Sequence, residues 1–146
     1  MNTNWSGMRV LVIGAARQGL ALARFLSRAG AQVTLNDQNP AEKLSQARQS
    51  LAELPVEWVL GDHPLSLLDR VDLVCVSGGV SLDLPILVEA RLRGLALTND
   101  SQIFMEVAPC KTIGITGSAG KTTTTTLVGQ MAKKDVEGRR QTTESR

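Results

Sequence analysis

Eight consecutive residues, Thr116-Gly117-Ser118-Ala119-Gly120-Lys121-Thr122-Thr123, combine the residue types that hold a polyphosphate. Glycines let backbone N–H groups converge on phosphate oxygens. Lys121 adds a point charge able to reach β- and γ-phosphates, and the Thr122 hydroxyl is of the kind that coordinates Mg²⁺. The apolar run TIGI (residues 112–115) precedes the loop, and a stretch with Leu127, Val128 and Met131 on one face follows it. The loop therefore lies between a predicted strand and a predicted helix, whose positive end faces the same place. The spacing departs from the general G-x-x-x-x-G-K-[ST] pattern, because Ile115 stands where its first glycine falls. A glycine turn with no ligand is the plainer alternative, but the threonine run that follows suits a helix poorly on propensity alone.

A second glycine turn, Gly14-Ala15-Ala16-Arg17-Gln18-Gly19, follows the apolar run MRVLVI (residues 8–13). It is a G-x-A-x-x-G variant of the dinucleotide fingerprint. Ala16 puts a methyl where a pyrophosphate would approach the backbone, which weakens the case for a dinucleotide. Asp37 comes 23 residues after Gly14, at the end of the next predicted strand. Its carboxylate could accept hydrogen bonds from a ribose hydroxyl or another ligand group, or it could be solvated beside a tightly packed helix. The turn Ser77-Gly78-Gly79-Val80 suits close approach to a ligand and suits a simple tight turn equally well. His63, in Gly61-Asp62-His63-Pro64, reads as a loop histidine.

These turns sit on an alternation of strand and helix signals. Strands are predicted at residues 8–13, 32–36, 56–60, 73–76 and 95–97, and helices at 18–29, 41–54 and 84–93. That order implies an α/β, Rossmann-like open parallel sheet with flanking helices. In such sheets ligands sit at the carboxyl ends of the strands, where Gly14, Asp37 and Ser77–Gly79 all fall. The pattern restarts near residue 99, with a short helix at 102–107, the strand at 112–115, the phosphate loop and a helix at 122–133. Three segments are expected: a sheet domain over 1–98, the first strand–loop–helix unit of a second, ATPase-type domain over 99–134, and an unstructured polar tail over 135–146. A lone strand–loop–helix unit cannot cover both of its faces, so the chain is expected to be the N-terminal part of a longer protein.

Composition removes several function classes. The chain has 146 residues, 42% hydrophobic and 21% charged, an ordinary globular make-up. No apolar run approaches the length of a bilayer span, and no secretory signal opens the chain. With aromatics at only 3%, stacking on single-stranded nucleic acid has little to work with. From Lys133 on, five basic residues face three acidic ones, so the whole net charge of +2 lies there and residues 1–132 are neutral overall. No nucleic-acid partner is therefore expected. Cys75 and Cys110 lie in strand-like stretches and are expected to be buried thiols in a reducing, cytoplasmic setting. Trp58 is expected in the core, and Trp5 over a sheet edge.

Together the segments RVLVIGAARQG (9–19), AQVTLND (31–37), Ser77–Val80, NDSQIF (99–104) and TIGITGSAGKTTTTTLVGQMAK (112–133) resemble the Mur ligases. These are the ATP-dependent amino-acid ligases of peptidoglycan synthesis. The likeness covers residues 7 to about 133 and is greatest to the member that joins D-glutamate to UDP-N-acetylmuramoyl-L-alanine through an acyl phosphate. It implies ATP and Mg²⁺ as cofactors, a monomer, and those two small molecules as substrates. It implies that Arg17 and Gln18 meet the diphosphate, that Asp37 and Gln38 meet the uracil end, and that Gly79 belongs to the family's S-P-G turn. It maps ATP binding to Gly117, Ser118, Ala119, Gly120, Lys121, Thr122 and Thr123, with Lys121 and Thr122 catalytic and Thr122 on the metal. Two positions depart from the family: Ala119 where asparagine is usual, and Gly78 where proline is usual. The family's amino-acid-binding part would follow residue 133, so this chain is expected to bind UDP-sugar at most. A non-catalytic nucleotide-binding module and an NAD-binding oxidoreductase domain are the alternatives.

Overall fold

The run Arg9–Ile13 forms strand β1, and its last four residues are buried. Val10 and Val12 face one hydrophobic cluster while Leu11 and Ile13 face another, the two-residue alternation of a strand covered on both sides. The structure is a computed structural model that describes residues 4–144, with side chains described as far as residue 135. The chain divides into two compact units, Met1–Pro109 and Cys110–Arg146.

The first unit is a five-stranded, wholly parallel sheet: β1, β2 (Gln32–Asp37), β3 (Val56–Leu60), β4 (Leu73–Val76) and β5 (Ala96–Asn99), in the order β3-β2-β1-β4-β5. The order reverses between β1 and β4, the switch point where doubly wound sheets bind their ligands. Helix α1 (Arg17–Arg28) buries Gly19, Leu22, Ala23 and Leu26 against Val10, Val12, Val33 and Leu35. Beyond α2 (Ser45–Ser50), helix α3 (Pro85–Leu92) buries Ile86, Leu87 and Ala90 on the opposite cluster. Trp5 is buried, and Trp58 is half-buried against the first cluster.

Several boundaries differ from those expected. The helix expected over 41–54 is only Ser45–Ser50 with turns on either side; it buries no residue, so tertiary packing does not extend it. A 3₁₀ segment, Leu65–Arg70, buries Leu68 where no element was predicted. The helix expected from residue 102 starts at Asp100, because the Asn99 side chain accepts from Gln102 N–H and caps it. This helix, α4 (Asp100–Val107), lies in the first unit, which ends at Pro109 rather than at 98.

The first unit's lower rim carries a fork. Arg9 donates its backbone N–H and Nε to Asp72 Oδ2 at 2.9 and 3.1 Å, and a guanidinium N–H₂ to Oδ1 at 2.5 Å. These bonds from Arg9 hold the Asp72 carboxyl down to about 2. A depressed carboxyl stabilises above its unfolded value of 3.8 and loses that contribution as pH falls toward its folded value. Asp72→Asn is therefore expected to lower the urea midpoint at pH 7, with the gap to wild type closing near pH 2. A gap constant across that window would contradict the fork.

Both cysteines were expected to be buried, and only Cys75 is; Cys110 is exposed. Burial pushes the Cys75 thiol up to about 12, which leaves on the order of 10⁻⁴ of it as thiolate at pH 8. Iodoacetamide is expected to label Cys110 rapidly in the native chain and Cys75 only after denaturant is added. Equal native rates would refute this.

In the second unit, residues 111–120 adopt no regular structure, so the strand expected at 112–115 does not form. No strand of this unit lies among the described residues to pair with it. Helix α5 (Lys121–Glu144) has 24 residues. It continues through most of the polar run expected to be unstructured, which holds no proline to stop it.

Candidate functional site

Among the described residues the buried polar side chains are Asn36, Asp37 and Ser77. All three stand at the carboxyl ends of strands. Burying a polar group is costly unless it is bonded, and all three are bonded here. Gly14 N–H donates to Asn36 C=O at 2.8 Å, and Ser77 Oγ donates to Gly14 C=O at 2.9 Å. Asp37 Oδ2 accepts from Ala15 N–H at 2.7 Å, while Oδ1 accepts from the backbone N–H and side-chain amide of Asn39, each at 2.8 Å. Burial pushes the Asp37 carboxyl up, but the bonds from Ala15 and Asn39 and the nearby His63 outweigh it and hold it below 3.8.

The glycine turn is thus fixed from both sides, and it needs its glycines. Gly14 has φ +97°, in the left-handed region that L side chains rarely adopt. A Cβ on Gly19 would lie 1.8 Å from Gly14 O, so helix and turn touch backbone to backbone. Helix α1 begins with no side-chain cap at Ala16. Its first bond to the preceding turn is Leu20 N–H to Ala16 C=O, so the N–H groups of Arg17, Gln18 and Gly19 precede the ladder. Free N–H groups on a helix's positive end form an anion site.

A cleft of about 470 Å³ opens over this turn, lined by Gly14, Ala16, Asp37, Gln38, His63 and Gly79 among others. The structure brings together Asp37, Gln38 and Gly79 along this cleft. Arg17 is placed elsewhere, on an apolar groove with Phe25, Ile103 and Phe104. Gln18 lines that groove too, and also a smaller cleft with Ser77, Gly78 and Asp100, to whose Oδ2 its Nε2 donates at 2.9 Å. The Gln18 amide occupies the space a Cβ on Gly78 would need.

His63, which lines the cleft, and Asn36, buried behind it, are residues that sequence reasoning did not assign. They are 27 positions apart, and only the pairing of Asn36 with Val59 brings the loop after β3 to the end of β2. An asparagine beside Asp37 at the end of a predicted strand was the available signal.

In the second unit, Lys121 Nζ folds back onto Gly117 C=O. Gly117 and Gly120 adopt φ +150° and +77°, and α5's first bond to the loop is Thr124 N–H to Gly120 C=O. The N–H groups of Lys121, Thr122 and Thr123 again precede the ladder. Thr125 and Thr126 hydroxyls bond back to Lys121 and Thr122 carbonyls. The Thr122 hydroxyl is left without a partner among the described residues, at the loop, where a phosphate-bound cation would need one oxygen from the protein. The described residues hold no cluster of three His, Cys, Asp or Glu for a metal. No helix among them is long and apolar enough to cross a membrane.

Residues 8–99 match the family described as "Mur ligase MurD-like, N-terminal domain". A UDP-N-acetylmuramoylalanine–D-glutamate ligase from Acidobacterium capsulatum is 44% identical over 128 residues, 88% of this chain and 28% of the relative. The enzyme of the same name from Geobacillus kaustophilus is 44% identical over 87% of this chain and 28% of its own. The chain thus spans little more than a quarter of the length of the curated relatives it matches. Among solved structures, a pseudomurein peptide ligase type C from Methanothermus fervidus superposes with TM-score 0.57 at 27% identity, over 81% of this chain and 24% of that one. A murein peptide ligase, Mpl, from Psychrobacter arcticus gives 0.54 at 26%, over 84% and 26%.

Proposed function

Because the chain belongs to the Mur ligase MurD-like N-terminal domain family, we propose that its cleft binds the uridine diphosphate end of UDP-N-acetylmuramoyl-L-alanine. The observation that carries this is the cleft itself: a fixed glycine turn with free N–H groups at the switch point, beside a buried carboxylate. The diphosphate takes the start of α1; Gln18 stands beside it at the Ser77–Gly78 turn, and Arg17 reaches the phosphates by leaving the groove it shares with Phe25 and Phe104. The ribose and base extend toward Asp37, Gln38 and His63, and Gly79 gives the sugar close backbone approach.

Asp37 also weighs against an NAD-type site. Its Oδ1 already accepts two N–H groups and its Oδ2 one. With two acceptor positions per oxygen, only one on Oδ2 remains, enough for a single hydroxyl and too few for both oxygens to clasp a ribose diol.

The loop at Gly117, Ser118, Ala119, Gly120, Lys121, Thr122 and Thr123 is assigned to the phosphates of ATP. Lys121 leaves the Gly117 carbonyl to neutralise phosphate charge, and the Thr122 hydroxyl is a ligand for Mg²⁺, which supplies charge neutralisation when bound. In the reaction proposed for the whole ligase, the alanine carboxylate attacks the γ-phosphate of ATP and ADP leaves. The D-glutamate amine then displaces phosphate from the acyl phosphate, losing a proton and forming the peptide bond. This chain's share is binding and positioning, as a cytoplasmic monomer without turnover of its own.

The test is calorimetric titration of the chain with UDP-N-acetylmuramoyl-L-alanine, NAD and ATP–Mg²⁺ in parallel. The UDP-sugar is expected to bind and NAD not. Lys121→Ala is expected to weaken ATP–Mg²⁺ by about tenfold or more, the loss of one charge-assisted contact, and to leave the UDP-sugar unaffected. Binding of NAD alone, or of none of the three, would overturn the proposal.

A further inference from the structure

The chain has one histidine, and its ring is oriented by a buried asparagine. Asn36 is fully buried, and its Nδ2 donates to the carbonyls of Val59 at 2.8 Å and Asp62 at 2.7 Å. Those two bonds fix which way the amide faces, so Oδ1 is the atom that meets His63 Nδ1, 2.5 Å away. An amide oxygen only accepts, so Nδ1 must carry the proton. In the neutral ring Nε2 is then a bare acceptor, and it has no partner among the described residues. The His63 backbone is held as well, its N–H donating to Asp62 Oδ1 at 2.7 Å. The ring lines the cleft on the Asp37 side. The charged groups around it are Asp37 at the end of β2 and Asp62 on its own loop.

We infer that His63 is a specificity residue that reads the base of the bound nucleotide, its Nε2 accepting from a ring imide N–H. This rests on the nucleotide reading of the cleft. With the diphosphate at the start of α1, a base extends away from the turn toward β2 and β3, where His63 stands. Uracil carries an N–H at position 3, and cytosine has a bare nitrogen there. A fixed acceptor therefore favours uridine and opposes cytidine, lone pair against lone pair. Asn36 is the positioning residue, since it sets the tautomer without facing the base.

Two readouts test this, both at about pH 8. With a single histidine, the ¹⁵N spectrum of the labelled chain contains one pair of imidazole nitrogens. Nδ1 is expected to be protonated and Nε2 bare, and UDP is expected to shift the Nε2 resonance toward the hydrogen-bonded side, whereas 3-methyl-UDP is not. In calorimetry the wild-type chain is expected to prefer UDP to CDP and to 3-methyl-UDP by about tenfold, the size of one hydrogen bond and its unpaired alternative. His63→Ala is expected to bring that preference close to one while CDP binds as before. His63→Gln, which restores an acceptor, is expected to recover part of it. A proton on Nε2 in the free neutral chain, or an unchanged preference in His63→Ala, would overturn the assignment while leaving the nucleotide site standing. Failure of the wild-type chain to bind any uridine nucleotide would remove the nucleotide reading and the role of His63 with it.

Discussion

Gly19→Ala is expected to lower the stability of the first unit by about 3 kcal/mol or more, beyond the usual cost of overpacking a core. On propensity alone the change should help, because alanine outranks glycine in a helix by about 1 kcal/mol. The position decides otherwise. The added Cβ would lie 1.8 Å from Gly14 O, 3.0 Å from Gly14 C and 2.5 Å from Ser77 Oγ. Two of those atoms are backbone, in a turn held by the bonds from Ser77 Oγ and to Asn36 C=O. Relief requires α1 to move off β1, which strips Leu22 and Leu26 from the core they fill. Two controls isolate the cause. A Cβ at Gly78 meets only the end of the Gln18 side chain, so Gly78→Ala is expected to cost little more than the Gln18–Asp100 bond. A Cβ at Gly129, inside α5, meets nothing, and Gly129→Ala is expected to leave the urea midpoint unchanged or raise it. A wild-type midpoint for Gly19→Ala would mean that helix and turn do not touch as described.

What could be read from the sequence, and what could not, follows from the range of the interactions. β1 and β4 are short apolar runs closed by glycine or serine, so their burial on both faces was legible from residue types. Gly14 and Gly19 were legible because a turn between strand and helix leaves few other uses for glycine at that spacing. The partners that fix the turn were not. Asn36 and Ser77 hold it, and His63 meets Asn36, through the register of β2 against β1 and β3 and of β4 against β1, and no local pattern carries register. Asp37 was picked out as a ligand group, yet most of its hydrogen-bonding capacity serves the fold. Cys110 reads as strand-like beside TIGI, but a strand exists only with a neighbour, and the second unit offers none among its described residues. The polar part of α5 shows the converse. Hydrophobic periodicity reports an apolar face, and a polar run that holds no such face can still continue a helix begun before it.

Asp37→Asn separates the two duties of that residue, because the side chain keeps its size and shape. The carboxylate accepts three N–H groups, from Ala15, Asn39 and the Asn39 amide. An asparagine has one oxygen and one NH₂. Whichever way it turns, the NH₂ faces at least one donor: the Ala15 N–H, or the pair from Asn39. Lost bonds to a charged acceptor and a buried N–H left unmatched should cost about 3 kcal/mol together. Acid titration supplies an independent check. Because the folded carboxyl sits below 3.8, its contribution is present above that value and fades as pH falls through the folded one. Asp37→Asn is therefore expected to be less stable than wild type at pH 7 and to show a shallower loss of stability below about pH 4. Binding gives the other half: the UDP-sugar is expected to lose affinity even at low temperature, where the variant is still folded, since releasing Ala15 N–H frees the turn that presents the α1 N–H groups. A variant with wild-type stability at pH 7 would show that Asp37 does not hold the turn. A variant that is less stable but binds UDP-sugar normally would show that the turn keeps its shape without it, and the diphosphate would then depend on the helix terminus alone.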